Sequence, residues 1–167
     1  MRKRRNWRHE VVVANYNGIK AASMESPRII RSEKLDVPIG PRKVQAMFMV
    51  LAAGAERTGE EVADVLNLVA RAASVDGAML LYECELDSYG TMLAAGKPVG
   101  EAPSKPDQHP IGLTDAEAGI LVTAIHAGSY HGSEFSRLMF IGAIEILRSV
   151  LTDNSSMKIA NNARRYL

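Results

Sequence analysis

Apolar residues along this chain recur at spacings of three and four in several separate runs, the period of helices that turn one face inward. Val44, Met47, Phe48, Leu51 and Ala52 predict a first helix from Arg42 to about Ala55, with Pro41 in its first turn and Gly54 at its end. Val62, Val65, Leu66, Val69 and Ala72 predict a second, closed by Asp76 and Gly77. Glu60, Asp64, Asn67 and Arg71 fall largely on its other side. Ile120, Leu121, Val122, Ala124 and Ile125 predict a third, from Thr114 to about Ala127. A fourth begins at Ser133 and runs to Leu151, and its only polar stripe is Arg137, Glu145, Arg148 and Ser149. A helix so apolar around its girth must be central, packed on several sides or against another subunit. The tail from Asp153 frays or forms a short helix. Ala78 to Glu85 suits a helix or a short strand equally, and Tyr89-Gly90 marks a break.

Two of these runs open with Thr-x-x-Glu, at Thr58–Glu61 and Thr114–Glu117. The threonine side chain can accept from the backbone N–H three residues on, and the glutamate can reach back to the threonine N–H. Two of the four orphan donors of each helix start are then satisfied. Residues 58–74 and 114–129 share this opening, but beyond it their side chains do not match as repeats do.

Other stretches break the helical period. Residues 10–16 hold three consecutive valines, whose β-branching favours a strand, and Asn17-Gly18 then reads as a turn. From Lys20 to Pro41 no period lasts, apart from a short strand around Arg28 to Arg31. Between Gly96 and Thr114, Pro98, Pro103, Pro106 and Pro110 exclude a helix, which leaves a covering loop or a linker. The expected architecture is mainly α: a helical domain with a minor N-terminal β element and a long Pro-rich loop. It forms a single domain over 1–167, or sub-units 1–96 and 113–167 joined by the Pro-rich segment 97–112.

Composition narrows the setting. A chain of 167 residues can bury a core without staples, and with aromatics at 5% its interior falls to alanine, methionine and leucine, which suits close helix packing. Cys84 is the only cysteine, so no internal disulfide and no multi-thiolate metal site can form, in keeping with a reducing compartment. The longest apolar run, Ala46 to Ala55, is ten residues, against the roughly twenty that cross a bilayer. The N-terminus has the charge of a signal peptide without its apolar stretch, since Asn6, Trp7, His9 and Glu10 intervene. A cytoplasmic protein with no membrane contact is expected.

Net charge is only +1, but it is unevenly spread. Arg2, Lys3, Arg4, Arg5 and Arg8 crowd the start, and Lys158, Arg164 and Arg165 make the end basic. Between Glu56 and Asp87, eight acidic residues face only Arg57 and Arg71. A nucleic acid could be gripped by the basic termini (Arg2, Lys3, Arg4, Arg5, Arg8, Arg164 and Arg165) or by a helix-turn-helix-like segment over 42–90. The second route meets an obstacle, because after Arg71 and Ser74 the reading element carries Asp76, Glu83, Glu85 and Asp87, which repel phosphate.

Catalytic signals are sparse. The glycines form no phosphate loop, and no serine or threonine sits in a nucleophile elbow. Glu83, Glu85 and Asp87 alternate, so in a strand they would share a face, where carboxylates can divide acid and base roles. Cys84 lies between two glutamates that disfavour its thiolate. The densest set of proton-exchanging groups is His109, His126, Tyr130, His131 and Glu134. The segment 96–113 folded over the corner 126–134 would make a pocket. An imidazole of His126 or His131 would act there as base, Glu134 would orient it and Tyr130 would donate a hydrogen bond. His126, His131 and Glu134 do not match a recognised zinc spacing, so neither metal nor cofactor is expected. Trp7, Tyr16 and Tyr130 are candidate interface anchors. The expected function is a non-enzymatic binding or regulatory protein acting through protein–protein contacts, and a homo-oligomer through helix 133–151. The alternatives are the nucleic-acid-binding regulator and the small histidine-based enzyme.

Overall fold

A computed structural model describes residues 40–106, 109–130 and 135–167, and over these the chain is mainly helical. Six helices follow in order: α1 (Pro41–Thr58), α2 (Val62–Ala72), α3 (Val75–Ala94), α4 (Asp115–Gly128), α5 (Phe135–Val150) and α6 (Asp153–Ala163). A 3-10 turn, Arg164–Tyr166, ends the chain. The strand expected at residues 10–16 and the turn after it lie outside the described residues. One hydrophobic cluster draws on every helix, with Leu51, Val69, Leu81, Leu121, Ile125, Leu147 and Ile159 all buried in it.

The cluster is organised around α1 and α4, which touch through backbone. A Cβ on Gly54 would lie 1.5 Å from the Ala124 carbonyl oxygen, and one on Gly128 would lie 1.9 Å from that of Val50. Gly54 therefore does not end α1, as its glycine character suggests; it is the point where α4 is admitted, and α1 continues to Thr58. Arg57 then reaches across and donates to the Ala127 and Tyr130 carbonyls (2.6 and 3.4 Å), satisfying the C-terminal end of α4 with a cation.

The two Thr-x-x-Glu signals part company. At Thr114 the capping box forms in full: the Glu117 N–H donates to Thr114 Oγ1 (3.1 Å) and the Thr114 N–H donates to Glu117 Oε1 (2.9 Å). At Thr58 it does not form. The Thr58 hydroxyl donates back to the Gly54 carbonyl (2.9 Å) as the end of α1. Gly59 takes the left-handed conformation (φ 80°), and the Glu60 N–H returns to the Ala55 carbonyl at 2.8 Å. A helix stop consumes the residues that resembled a start. Glu61 precedes α2 with no side-chain cap.

Asp76 and Gly77 do not close the second helix either. α2 stops at Ala72, and Ser74 caps a new helix by accepting from the Gly77 N–H (3.0 Å). This corner is tied to the one between α5 and α6. The Ser74 N–H donates to the Val150 carbonyl (2.9 Å), the Thr152 N–H donates to that of Ala72 (3.0 Å), and Ala73 and Leu151 form an antiparallel bridge. Gly77 is needed there, because a Cβ would lie 1.9 Å from the Val150 oxygen. The ambiguous stretch 78–85 and the expected break at Tyr89-Gly90 both lie inside α3.

α5 packs on α1, α3, α4 and α6, so its apolar girth is used within the chain, and Leu138 at 43% is its most exposed large apolar side chain. Ser133, expected to cap it, lies outside the described residues. The tail is a helix rather than a frayed end: Thr152 caps α6, and Ile159 and Ala163 are buried.

Two glycines in helices make opposite predictions. Gly54→Ala forces the α1–α4 contact apart and should lower the unfolding free energy by about 3 kcal/mol. Gly90→Ala meets no atom within 4 Å and should raise it by up to about 1 kcal/mol through helix propensity. Urea unfolding of the two variants checks both.

Candidate functional site

α3 is apolar on two opposite faces. Its inward face is Gly77, Leu81, Cys84, Ser88 and Met92, all buried. Its second apolar set is Val75, Met79, Tyr82, Leu86, Tyr89 and Leu93, at spacings alternating four and three along the whole helix. At 3.6 residues per turn these six fall within about 40° of one line, about 140° round from the buried set. Val75 is 71% exposed, Leu86 40% and Leu93 58%, while Met79, Tyr82 and Tyr89 are half-buried. Such a seam is what a helix presents to another helix. Three of the eight exposed large hydrophobic side chains among the described residues lie on this one line.

Acidic residues border the seam. Asp76, Glu83 and Asp87 are exposed about 80–120° to one side, and Glu85 lies about 80° to the other. Between α3 and the start of α1 runs an open cleft of about 770 Å³, lined by Gly40, Pro41, Arg42, Lys43, Glu83, Leu86 and Asp87. Gln45 ties α1 to α3 by donating to Asp87 Oδ2 (3.0 Å) and Ser88 Oγ (3.3 Å). Glu83 and Glu85 do not share a face, as they would in a strand; on a helix they are about 200° apart, and Glu83 instead aligns with Asp87 one turn on. Cys84 between them is buried.

The histidine set is only partly within the described residues. His126 lies in the last turn of α4, stacked on Tyr166 (ring centroids 4.0 Å apart, 21° between planes) and edge-on to Phe140 at 5.6 Å. Tyr130 is 67% exposed, and its carbonyl accepts from Arg57. His131 and Glu134 lie outside the described residues. His109 is two residues before Ile111, whose N–H donates to the Arg71 carbonyl (2.8 Å) at the other end of α4. Thr114 and His126 are twelve residues apart on that helix, about 18 Å along its axis. His109 and His126 are therefore not brought together. Among the described residues no three His, Cys, Asp or Glu side chains are grouped to hold a metal ion. Of the basic termini, Arg165 donates to Asn162 Oδ1 (3.1 Å) and lies over the Tyr166 ring, and Arg164 is exposed. Arg2, Lys3, Arg4, Arg5 and Arg8 lie outside the described residues.

One ion pair among the described residues serves the fold. Arg71 and Glu117 pair where α2 meets the start of α4. The hydrogen bond from Arg71, followed by that from the Thr114 N–H, lowers the Glu117 pKa to about 2. Beside it the Leu113 N–H donates to Ser155 Oγ (3.1 Å) and Lys158 donates to the Leu113 carbonyl (2.6 Å), so the chain leaving the Pro-rich stretch is pinned to α2 and α6.

No helix of the described residues is long and apolar enough to cross a membrane. No family model, curated protein or solved structure matches the chain.

In the sequence the α3 seam is interrupted by two turn-like pairs, Asp76-Gly77 and Tyr89-Gly90. The alternating spacing from Val75 to Leu93 is the signal that finds it.

Because the folded Glu117 pKa lies below its ordinary value of 4.5, the stabilisation from this carboxylate is fully present above that value. It is lost as pH falls through about 2. Glu117→Gln keeps a capping side chain but removes the charge. Acid unfolding should therefore be steeper in the parent than in Glu117→Gln, with the two curves converging at the acid end.

Proposed function

We propose that this chain is a non-enzymatic binding protein that works through protein–protein contact, with the outer face of α3 as its docking surface. The observation that carries the reading is the continuous apolar seam from Val75 to Leu93, placed on the opposite side of the helix from the core. Leaving large apolar side chains in water gives up burial worth about 25 cal/mol per Å². Exposed apolar residues aligned on one helix face, here Val75, Leu86 and Leu93 with half-buried Met79, Tyr82 and Tyr89 between them, mark an interaction site more often than scattered single residues do. A partner helix laid along such a line is anchored at three- and four-residue spacing, the pattern of helix-in-groove recognition. Homo-oligomerisation through residues 133–151 is less well supported, since α5 buries its apolar residues against four helices of its own chain.

The test is a comparison of the full-length chain with a Leu86→Asp, Leu93→Asp double variant, each recovered from cells with its bound material. Both substitutions are at exposed positions, so the melting temperature should change little. The parent should bring down a stoichiometric protein partner that the double variant loses by about tenfold or more, the loss typical of interface anchors. Identical material with both forms would overturn the reading. So would recovery of nucleic acid alone, resistant to moderate salt.

A further inference from the structure

The cleft between α3 and the start of α1 has a chemistry of its own. One wall is the first turn of α1, with Arg42 and Lys43. The other is the middle of α3, where Glu83 and Asp87 lie one turn apart with Leu86 beside them. Two cations and two carboxylates leave this lining without net charge but divided by sign. Among the described residues, no hydrogen bond or ion pair joins the two walls. Asp87 accepts from the neutral amide of Gln45, and the side chains of Arg42, Lys43 and Glu83 have no partner among the described residues. The cations are not placed for the sake of α1, since a helix dipole favours acids in the first turn, and this turn holds none.

An anion in the cleft would satisfy Arg42 and Lys43 but meet Glu83 and Asp87, and a cation would meet the reverse. Only an occupant with both signs suits both walls. We propose that the cleft binds a small zwitterion of short-peptide type. Its carboxylate meets Arg42 and Lys43, its ammonium meets Glu83 and Asp87, and an apolar side chain between them covers Leu86. A tripeptide spans up to about 10 Å, so its two ends reach walls that do not bond each other directly. The cleft's volume of about 770 Å³ falls within the roughly 300–1,000 Å³ of small-molecule sites. Because the cleft is open, each charged contact is screened by water, and the dissociation constant is on the order of 1 mM. Leu86 alone is shared with the seam from Val75 to Leu93, so this site and the protein-docking face stand or fall separately.

A tripeptide of alanine, leucine and alanine, titrated into the full-length chain and followed by amide NMR shifts, tests the assignment. The unmodified peptide should shift amides of residues 40–45 and 83–87. The N-acetyl form, which lacks the ammonium, and the C-amide form, which lacks the carboxylate, should each bind about fivefold or more weaker. An Arg42→Gln, Lys43→Gln variant should weaken the unmodified and N-acetyl peptides and leave the C-amide form unaffected. Glu83→Gln should weaken the unmodified and C-amide peptides and leave the N-acetyl form unaffected. These side chains are exposed or half-buried, so the spectrum away from the cleft should be that of the parent and reports an intact fold.

Undiminished binding of the N-acetyl form would make the cleft an anion site, and undiminished binding of the C-amide form a cation site. Either result overturns the zwitterion. So does the absence of shifts in the cleft with the unmodified peptide at about 10 mM, well above the expected dissociation constant. Shifts that ignore both sets of substitutions overturn the assignment of the walls.

Discussion

Two glycines let the backbones of α1 and α4 touch, and the arrangement of the other helices follows from that contact. Interaxial distance is set by the side chains at the crossing. At Gly54 and Gly128 there are none, and the facing atoms are the Ala124 and Val50 carbonyl oxygens. On the two crossing helices the fully buried large side chains are aliphatic or methionine, none of them aromatic: Val44, Met47, Met49, Leu51, Leu121, Val122 and Ile125. A chain with few aromatics can fill its interior this way only if the helices come close. The sparse aromatic content and the glycine crossing are two sides of one packing solution. Arg57 closes the contact at its end by binding the last carbonyls of α4.

The second constraint is the backbone tie between the α2–α3 and α5–α6 corners. Reciprocal hydrogen bonds join residues 72–74 to 150–152, and Gly77 allows α3 to start directly against the Val150 carbonyl. With its first turn held there and Gln45 bonded to Asp87 and Ser88 further along, α3 has its rotation about its own axis determined. Leu81, Cys84 and Met92 are turned inward, and the line from Val75 to Leu93 is turned out. The same bonds that complete the fold therefore present the apolar seam.

Much of this was legible in the sequence, for identifiable reasons. α4 was readable because Thr114 and Glu117 immediately precede its apolar run and nothing nearby competes for them. The same spelling at Thr58 failed because Gly59 follows the threonine, and a left-handed glycine completes a helix end more readily than a capping box completes a start. α3 was hidden by having two apolar faces, which blur the helical period, and by glycines that look like turns. Gly77 is tolerated as a packing contact in a first turn, and Gly90 lies in an exposed turn where tertiary structure overrides propensity. His109 and His126 are kept apart for a different reason, while His131 and Glu134 lie outside the described residues. His109 and His126 flank a helix whose rise separates its ends, and closeness in sequence says nothing of that. The backbone contact at Gly54 had no linear signal, since a glycine in a helical run reads equally as a terminus.

On the docking proposal, the line from Val75 to Leu93 is open in the isolated protein and covered by a partner in the cell. Carbene footprinting of the full-length chain, purified and in intact cells, addresses that claim residue by residue. Val75, Leu86 and Leu93 should be labelled in the purified protein and protected in cells. Met157 and Leu167, exposed at 61% and 65% on other elements, should be labelled in both. Labelling of the α3 residues that is equal in the two settings, or already absent in the purified protein, would contradict the account.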